Sequence, residues 1–360
     1  MSRQKRIEWG LDPAMGRRRF LQVGAGSLIG AGLVLGTPPL FGQEGKKEGP
    51  PPQPQTNVAD ALKVPRTKTS LPGPCPGRVV EVVDRAAMAA GRPDARKVSG
   101  MVERGITGLT GRDLGESFHL LFDRRDVVGI KVNPVGAGLI STHLEVVDAL
   151  VAWLRKGGIP ARNIVIWDRF DYMLADAGFT AARFPGVTVA GLQTMDEAAA
   201  EGKSTDNSRW RDAAGHHVSE KSFDPDCFYF AEVDAPQDEP YLNQHVFNGR
   251  HSFFGKLLTQ RLTKIINVPV FKNTGNGVSM ATKCLGYGAI CNTGRLHKPL
   301  FFDVCTEVLA FPVIRDKLVL NVTDALKGQY DGGPGPLATA IYTPSTLYFA
   351  TDPFALDAHC

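Results

Sequence analysis

Residues 283–298, KCLGYGAICNTGRLHK, bring cations and a titratable ring together between glycines. The turn-like KNTGNGVS at 272–279 precedes them and supplies a further lysine and an amide. An arginine grips carboxylates and phosphates through a planar fork, a lysine acts as a mobile charge, and the free N–H groups at a helix start favour anions. We therefore predict an anion-binding site. Its members would be Lys272, Asn273, Lys283 and Arg295. The alternative is a solvent-facing cationic loop whose charges pair with acids.

Polar side chains also follow the apolar, strand-like runs. The runs are VVGIKVN (127–133), NIVIWD (163–168), KIINVPVFKN (264–273), KLVLNVTD (317–324) and TLYFATD (346–352). The polar residues at their ends are Lys131, Asn133, Asp168, Lys272, Asn273, Asp324 and Asp352. In open α/β sheets, ligands bind outside the carboxyl ends of the strands. We therefore expect these residues to face a common cleft at one edge of a single sheet, although any strand becomes polar as it leaves a core.

Three residues are candidates for catalysis: Lys131, His143 and His297. His143 stands at the start of a helical pattern, where the positive end of the helix lowers the pKa of an imidazole and suits it to act as a neutral base or ligand. The same stretch is also typical of a capping box, with Thr142 at the N-cap and Glu145 three residues later, which would make it structural. Both interpretations stay open.

A divalent metal is a further hypothesis for the same cleft. Carboxylates suit magnesium or manganese, and imidazole suits zinc or iron. The candidate ligands are Asp168, Asp324, Asp352 and His297. The cysteines do not add to this set, because no CxxC pair and no ferredoxin-type iron–sulfur motif occurs, and Cys284 and Cys291 stand too far apart for the usual zinc spacing. We expect the cysteines to be small buried thiols or to form an opportunistic disulfide.

The N-terminus is similar to a twin-arginine export signal. Arg17-Arg18-Arg19 precedes Phe20-Leu21, and the uncharged run 20–36 follows. The run is shorter and more glycine-rich than the roughly 20 apolar residues of a membrane helix, so we expect no stable membrane span after cleavage. We predict a signal peptide at 1–43, the twin-arginine export machinery as partner, and a periplasmic or otherwise exported location. The alternative is a basic tail before an amphipathic helix.

The charge of the chain lies in this segment. The whole chain has a net charge of +4, and residues after 43 contain 35 basic and 35 acidic side chains. A nucleic-acid-binding protein normally carries a clustered basic surface. The balance argues against a nucleic-acid partner.

Composition divides the rest of the chain into a linker and one domain. Residues 44–77 are rich in proline and polar residues, which predicts an extended linker. Strand-like runs then alternate with helical patterns such as THLEVVDALVAWLRKG (142–157), and polar residues at about 194–226 predict a surface insertion. This order predicts a single α/β domain over 78–360, with a largely parallel sheet flanked by helices.

From Val127 onward the chain resembles the family called domain of unknown function 362, most clearly over 127–358. The matching pieces are GIKVN (129–133), STH (141–143), NIVIWD (163–168), INVPVFKN (266–273), the lysine of ATKC (281–284), NTGRLH (292–297), TDALKGQYDGGP (323–334) and DPFALDA (352–358). The resemblance implies an α/β fold, and some members carry iron–sulfur modules that this chain lacks. Where the family commonly has Lys-x-His, this chain has Lys272-Asn273-Thr274.

The family's activity is not established, so the resemblance carries over positions rather than a reaction. The leading hypothesis is an exported enzyme that binds an anionic small molecule, a carboxylate or phosphate, in the cleft at the strand ends. Whether it also binds a metal there is left open. The alternative is a non-catalytic periplasmic protein that binds a ligand or handles a metal. The sequence leaves open whether the protein is an enzyme at all.

Overall fold

The computed structural model describes residues 4–8, 53–193, 221–234, 249–275 and 277–360. The arginine motif and most of the predicted signal peptide lie outside these residues, as does most of the predicted insertion. No helix within the described ranges is long and apolar enough to cross a membrane.

A mixed, mostly parallel sheet forms the centre of the domain. Its strands are β1 Gln4–Glu8, β2 Arg78–Val83, β5 Val128–Val132, β6 Ile164–Phe170, β7 Thr188–Gln193, β10 Lys264–Val268, β11 Val270–Thr274, β12 Gly277–Val278, β13 Leu318–Gln329, β14 Ile341–Tyr342 and β15 Thr346–Ala350. Two separate two-stranded sheets pair β3 Met88–Ala89 with β4 Arg92–Pro93, and β8 Phe223–Phe230 with β9 His251–Gly255. The order across the sheet is β1-β2-β15-β13-β10-β5-β6-β7. The run from β13 to β7 is parallel throughout, whereas β15 is antiparallel to both of its neighbours. The predicted α/β class is confirmed.

Helices cover both faces of the sheet. They are α1 Val58–Lys63, α2 Ala95–Thr110, α3 Leu114–Leu121, α4 Leu144–Lys156, α5 Asp171–Asp176, α6 Ala281–Gly286, α7 Phe301–Glu307, α8 Pro312–Arg315 and α9 Pro353–His359. The sequence analysis missed α2 and α3. Helix α2 has clear end signals: the Asp94 side chain accepts hydrogen bonds from the first turn, and Gly111 ends the helix with a φ of 70°.

Two hydrophobic cores lie on opposite faces of the sheet. One packs Val128, Ile130 and Val132 of β5 against α2, α3 and α4. The other contains Trp167 of β6 and Leu285 of α6, together with side chains of α7, α8 and the β8–β9 hairpin. Strand β5 is buried along its whole length, as expected for a central parallel strand covered on both faces.

Proline divides the run that was predicted to be one strand at 264–271. Pro269 stands between β10 and β11, and a proline has no N–H group to continue a ladder. Its carbonyl oxygen accepts the Asp324 N–H at 2.8 Å, so the chain shifts and β11 continues beside β13. This shift brings Lys272 to the carboxyl edge of the sheet.

The predicted linker is folded onto the domain from residue 54 onward, which corrects the expectation of an extended tether. Arg315 donates hydrogen bonds to the carbonyl oxygens of Val64 and Pro65, at 3.1 and 3.0 Å. The Leu71 N–H returns to the carbonyl oxygen of Arg315 at 2.8 Å, and Leu71 is buried. Proline content predicts an extended backbone but cannot show that a distant arginine holds it.

The described part of the predicted insertion is also ordered. Residues 223–226, which the sequence analysis assigned to the insertion, begin strand β8, and Phe223 is fully buried against the second core. The polar composition of the segment conceals this strand.

Candidate anion-binding and catalytic site

An ion pair lies at the carboxyl ends of β5 and β6. The Lys131 Nζ is 2.5 Å from Oδ1 of Asp168, and both residues are buried. Burial by itself lowers the pKa of Lys131, but the Asp168 carboxylate outweighs it, so the pKa lies above its ordinary value. Lys131 is therefore a fixed positive charge whose field Asp168 largely cancels.

Helix α6 packs against this ion pair. The Sγ of Cys284 is 3.4 Å from the Lys131 Nζ. Burial raises the pKa of the thiol, and the adjacent lysine opposes that effect. Gly288 leaves the space for the lysine, because a Cβ at that position would lie 2.5 Å from the Lys131 Cε. From the sequence, Cys284 was expected to be a small buried thiol or part of an opportunistic disulfide, and nothing in its spacing indicated a contact with Lys131.

Lys272 enters the same group from β11. Its Nζ donates hydrogen bonds to Oδ1 of Asn133 at 3.2 Å and to the carbonyl oxygen of Val135 at 3.3 Å. The residue is 3 % exposed, and no carboxylate of the described residues forms a hydrogen bond or salt bridge with it. Burial lowers the pKa of Lys272 to about 8; Cys284 opposes this, and Lys283 adds to it.

Lys283 completes a group that we call the lysine cluster. The cluster consists of Lys131, Lys272 and Lys283, with Asp168 and Cys284. The Lys283 ammonium lies over the rings of Phe301 and Tyr287, 4.9 and 5.9 Å from their centres, and burial lowers its pKa. It has no hydrogen bond to any described residue. The cluster thus holds more positive than negative charge.

A histidine–aspartate pair occupies the same edge of the sheet, at the start of α4. The Nδ1 of His143 is 2.9 Å from Oδ2 of Asp324, and the His143 backbone N–H donates to the same oxygen at 2.7 Å. The side chain of Asp324 is fully buried, whereas that of His143 is 14 % exposed. Burial lowers the pKa of His143, but the charge and hydrogen bond of Asp324 outweigh it and raise the pKa above its ordinary value.

Asp324 therefore reverses the pKa shift that was expected for His143 at the start of the helix. The sequence predicted a lowered pKa for His143, whereas the structure raises it. The predicted capping box is wrong as well, because the N-cap is His143 and not Thr142. The Thr142 hydroxyl instead donates to the carbonyl oxygen of Val268 at 2.8 Å and accepts the Asn133 N–H at 2.9 Å.

Asn133 connects the lysine cluster with the histidine–aspartate pair. Its side chain receives the Lys272 ammonium, while its backbone exchanges hydrogen bonds with Thr142, the residue before His143. Lys131, Asp168, Lys272 and Asp324 thus lie at one edge of the sheet, as predicted. The reason is that β13 is parallel to β10 and β11, β10 is parallel to β5, and β5 is parallel to β6.

Asp352 does not join them. It follows β15, which is antiparallel to β13 and pairs its end, Ala350, with Asn321 near the start of β13. Asp352 thus lies toward the opposite edge of the sheet, where its carboxylate caps α9 by accepting the N–H groups of Phe354 and Ala355. A run of apolar residues shows where a strand is but not its direction, which is why the sequence analysis placed Asp352 wrongly.

The metal candidates are consequently dispersed. Asp168 pairs with Lys131, Asp324 with His143, and Asp352 with a helix start. In the described part of the chain, no group of three or more His, Cys, Asp or Glu side chains is arranged to hold a metal ion. None of the six cysteines, all of which lie in the described ranges, forms a disulfide, and burial raises the pKa of Cys291 to about 12.

Arg295 is a structural residue and not part of an anion site. It is 1 % exposed, and its guanidinium donates to the carbonyl oxygens of Ala231 and Val233 at 2.9 Å and of Arg250 at 2.8 Å, and to the Ser252 hydroxyl at 3.0 Å. The guanidinium group thus stabilises the β8–β9 hairpin region through hydrogen bonds. The sequence analysis recognised a grip for oxygen acceptors but could not show that backbone carbonyl groups supply them.

The start of α6 is occupied too. The carboxylate of Asp357 in α9 accepts the N–H groups of Ala281 and Thr282, at 2.8 and 2.9 Å, and the Thr282 hydroxyl at 2.6 Å. The predicted anion at this helix start is thus replaced by the chain's own carboxylate. This helix begins at Ala281, two residues after the turn-like 272–279 stretch.

His297 and Asn273 lie beside the lysine cluster. The His297 Nδ1 is 2.9 Å from the carbonyl oxygen of Thr293, its ring packs 4.4 Å from that of Tyr287, and burial lowers its pKa to about 4. The backbone of Asn273 pairs with Val278 in β12. Neither observation assigns a catalytic role to His297.

A glycine-rich loop at 330–337 lies against β11, the strand that carries Lys272. The Gln329 side chain holds this loop through the Gly335 carbonyl oxygen at 2.8 Å and the Leu337 N–H at 2.9 Å. Gly333 lies against the Asn273 carbonyl, where a Cβ would be only 1.7 Å from the oxygen. A separate cleft of about 80 Å³, lined by residues such as Val102 and Trp153, lies among α2, α3 and α4 and has no part in this site.

Comparison with known proteins gives one finding for the chain. Residues 128–360 match the family described as Domain of unknown function (DUF362), a span that includes both the lysine cluster and the histidine–aspartate pair. No curated protein and no solved structure is similar enough to count as a match.

Proposed function

The chain belongs to the DUF362 family, and we propose that it is an enzyme that binds a small carboxylate or phosphate at the carboxyl edge of its sheet. The lysine cluster would bind the anion, and the histidine–aspartate pair would move a proton. Arg295, Asp352 and the start of α6 have no part in this proposal, because each already has a structural partner.

The excess of positive charge in the lysine cluster carries the proposal. Asp168 is bound to Lys131, so Lys272 and Lys283 remain without a carboxylate partner among the described residues. Burying an ammonium ion without an opposite charge costs free energy unless something else is gained. A bound anion would supply the missing charge and form charge-assisted hydrogen bonds with both lysines.

The histidine–aspartate pair supports an enzyme rather than a passive binding protein. Asp324 accepts a hydrogen bond from the Nδ1 of His143, which orients the ring and leaves its other nitrogen to exchange a proton. The raised pKa brings the imidazole closer to neutral pH, where a group can act as acid or base. A binding protein has no evident need for this pair.

Calorimetric titration with inorganic phosphate, acetate and succinate tests the binding part. We expect Lys283→Met to weaken anion binding by about 10-fold to 150-fold, because one charged hydrogen bond contributes about 1.5–3 kcal/mol. Lys264→Met is the control, since Lys264 is half-buried at the amino end of β10. Absence of anion binding by the parent protein, or equal loss in both variants, would refute the site.

His143→Gln separates the enzyme from the non-catalytic alternative. The variant should keep its anion affinity and lose turnover in a screen of small carboxylates and phosphate esters. If the parent protein binds an anion but turns over no compound of such a screen, the ligand-binding alternative is the better account.

The enzyme would act outside the cytoplasm. The support is the arginine pair before an uncharged, glycine-containing run near the N-terminus. Replacing Arg17 and Arg18 together by lysine should keep the precursor in the cytoplasm, because the two side chains differ in donor geometry at equal charge. Export of this variant at the parent level, measured by fractionation, would contradict the proposed route.

A further inference from the structure

We propose that Lys272 is a covalent nucleophile whose side-chain amine forms an imine with the carbonyl carbon of a small 2-oxo acid. This inference rests on the proposed anion site, because Lys283 would hold the carboxylate of the same molecule. A 2-oxo acid fits this arrangement since its carbonyl carbon is directly bonded to its carboxylate. The amine of Lys272 and the ammonium group of Lys283 likewise belong to one cluster.

Lys272 differs from the other buried lysine of the cluster in the surroundings of its nitrogen. The Nζ of Lys131 is held by the carboxylate of Asp168, so that lysine stays an ammonium ion. The Nζ of Lys272 instead contacts two neutral oxygens, on Asn133 and Val135. A neutral amine donates its two N–H groups to both oxygens and keeps its lone pair for a carbonyl carbon.

The charges around Lys272 support the neutral amine. Burial has the largest effect and lowers the pKa to about 8, and the ammonium groups of Lys283 and Lys131 act in the same direction, against Cys284 and Asp168. At pH 7 about a tenth of the molecules then carry the free amine. Proteins activate lysines towards carbonyl compounds in this way, by desolvation next to another cation.

The step balances without a further reactant. The amine nitrogen attacks the carbonyl carbon, a C–N bond forms, and the π electrons of the carbonyl group move to its oxygen, which takes up a proton. The C–O bond then breaks, and a C=N bond forms. Both hydrogens of the amine leave with the oxygen as water, so no electron is gained or lost.

The glycine-rich loop at 330–337 gives the route to the amine. It covers β11 and is fastened by the side chain of Gln329, whose backbone pairs with Lys272. Gly332, Gly333 and Gly335 give this loop the backbone freedom that a lid needs. Outward movement of the loop would admit the 2-oxo acid, and its return would exclude water from the imine.

Borohydride trapping tests the inference. The full chain is incubated with pyruvate, the smallest stable 2-oxo acid, and reduced with sodium borohydride, which adds hydride to an imine and makes the bond permanent. We expect a mass gain equal to pyruvate minus water plus two hydrogens, located by peptide mapping on Lys272. Propionate, which has the carboxylate but no carbonyl group, should give no gain.

Lys272→Arg should abolish this adduct, whereas Lys264→Arg should retain it. An adduct absent from Lys272 in the parent protein, or spread equally over other lysines, would overturn the inference. If calorimetry still shows anion binding in that case, the proposed function stands and only the covalent step is wrong. If anion binding is also absent, both are wrong. Peptide mapping of the parent protein decides the question even if the Lys272 variant does not fold.

Discussion

Replacing Lys272 by methionine should change how the stability of the protein depends on pH. Methionine fills a similar volume but carries no charge. The pKa of Lys272 is about 8 in the folded protein, against an ordinary value of 10.5. At about 1.4 kcal/mol per pH unit, this difference corresponds to about 3 kcal/mol of lost stability when the lysine is protonated.

The sign follows from proton binding. Between pH 8 and 10.5 the unfolded chain keeps the Lys272 proton while the folded protein releases it, so the free energy of unfolding rises with pH in this window. Below pH 8 both states bind the proton and the full cost is present. Lys272→Met removes this contribution. The stability of the variant relative to the parent should therefore fall by about 3 kcal/mol from pH 7 to pH 10.5.

Urea unfolding of parent and variant at pH 7, 8, 9 and 10.5 measures this difference. Other groups that titrate in the same range are present in both proteins and cancel. Lys264→Met is the control, and we expect a smaller change because Lys264 is only half-buried and has Asp126 and Asp316 nearby. The free energies of unfolding of Lys272→Met and the parent are compared at each pH. If their difference is constant across this range, Lys272 is not an uncompensated buried lysine and the assignment is refuted.

Other substitutions test the structural assignments. Arg295→Ala should lower the free energy of unfolding by about 3 kcal/mol, because it removes buried hydrogen bonds to carbonyl groups. The matched variant Arg250→Ala breaks exposed ion pairs on the same hairpin and should lower the free energy of unfolding by at most about 1 kcal/mol. Equal losses for the Arg295 and Arg250 variants in urea unfolding would contradict this. Gly288→Ala should destabilise by about 1–3 kcal/mol and weaken phosphate binding, since a Cβ would lie 2.3 Å from a carbonyl oxygen; unchanged melting and binding would oppose it. In Asp324→Asn, an NMR titration should show a lower pKa for His143, because the main effect that opposes burial is removed; an unchanged pKa would show that Asp324 does not control this histidine.

Local pattern was enough to predict most of the strands but not their partners. Apolar runs predicted β5, β6 and β13 and correctly placed Lys131 and Asp168 at one edge. The antiparallel direction of β15 depends on long-range pairing, which no single run reveals. Asp352 was placed wrongly for this reason.

For the candidate site as well, the sequence predicted residue types but not the contacts that they make. Lys131 and Lys272 were visible in the sequence as lysines at strand ends, and the structure brings them together with Lys283 of helix α6. The oxygens that satisfy Arg295 come from Ala231, Val233, Arg250 and Ser252, which are far from it in the chain. An isolated motif predicts which groups a residue can bind, but tertiary structure decides which of them are within reach.

Strand β13 runs past both β10 and β11, and this continuity limits which insertions the protein can tolerate. Its first half sets the register with β10, Asp324 follows in the middle, and Gln329 closes its end beside Lys272. One residue added to a strand advances everything beyond it by about 3.3 Å and turns each later side chain to the other face. An insertion between Leu318 and Asp324 would thus misplace both the histidine–aspartate pair and the Gln329 side chain that holds the loop, whereas the loop at 330–337 can change in length with the strand register intact. Natural variation in length should accordingly be confined to that loop.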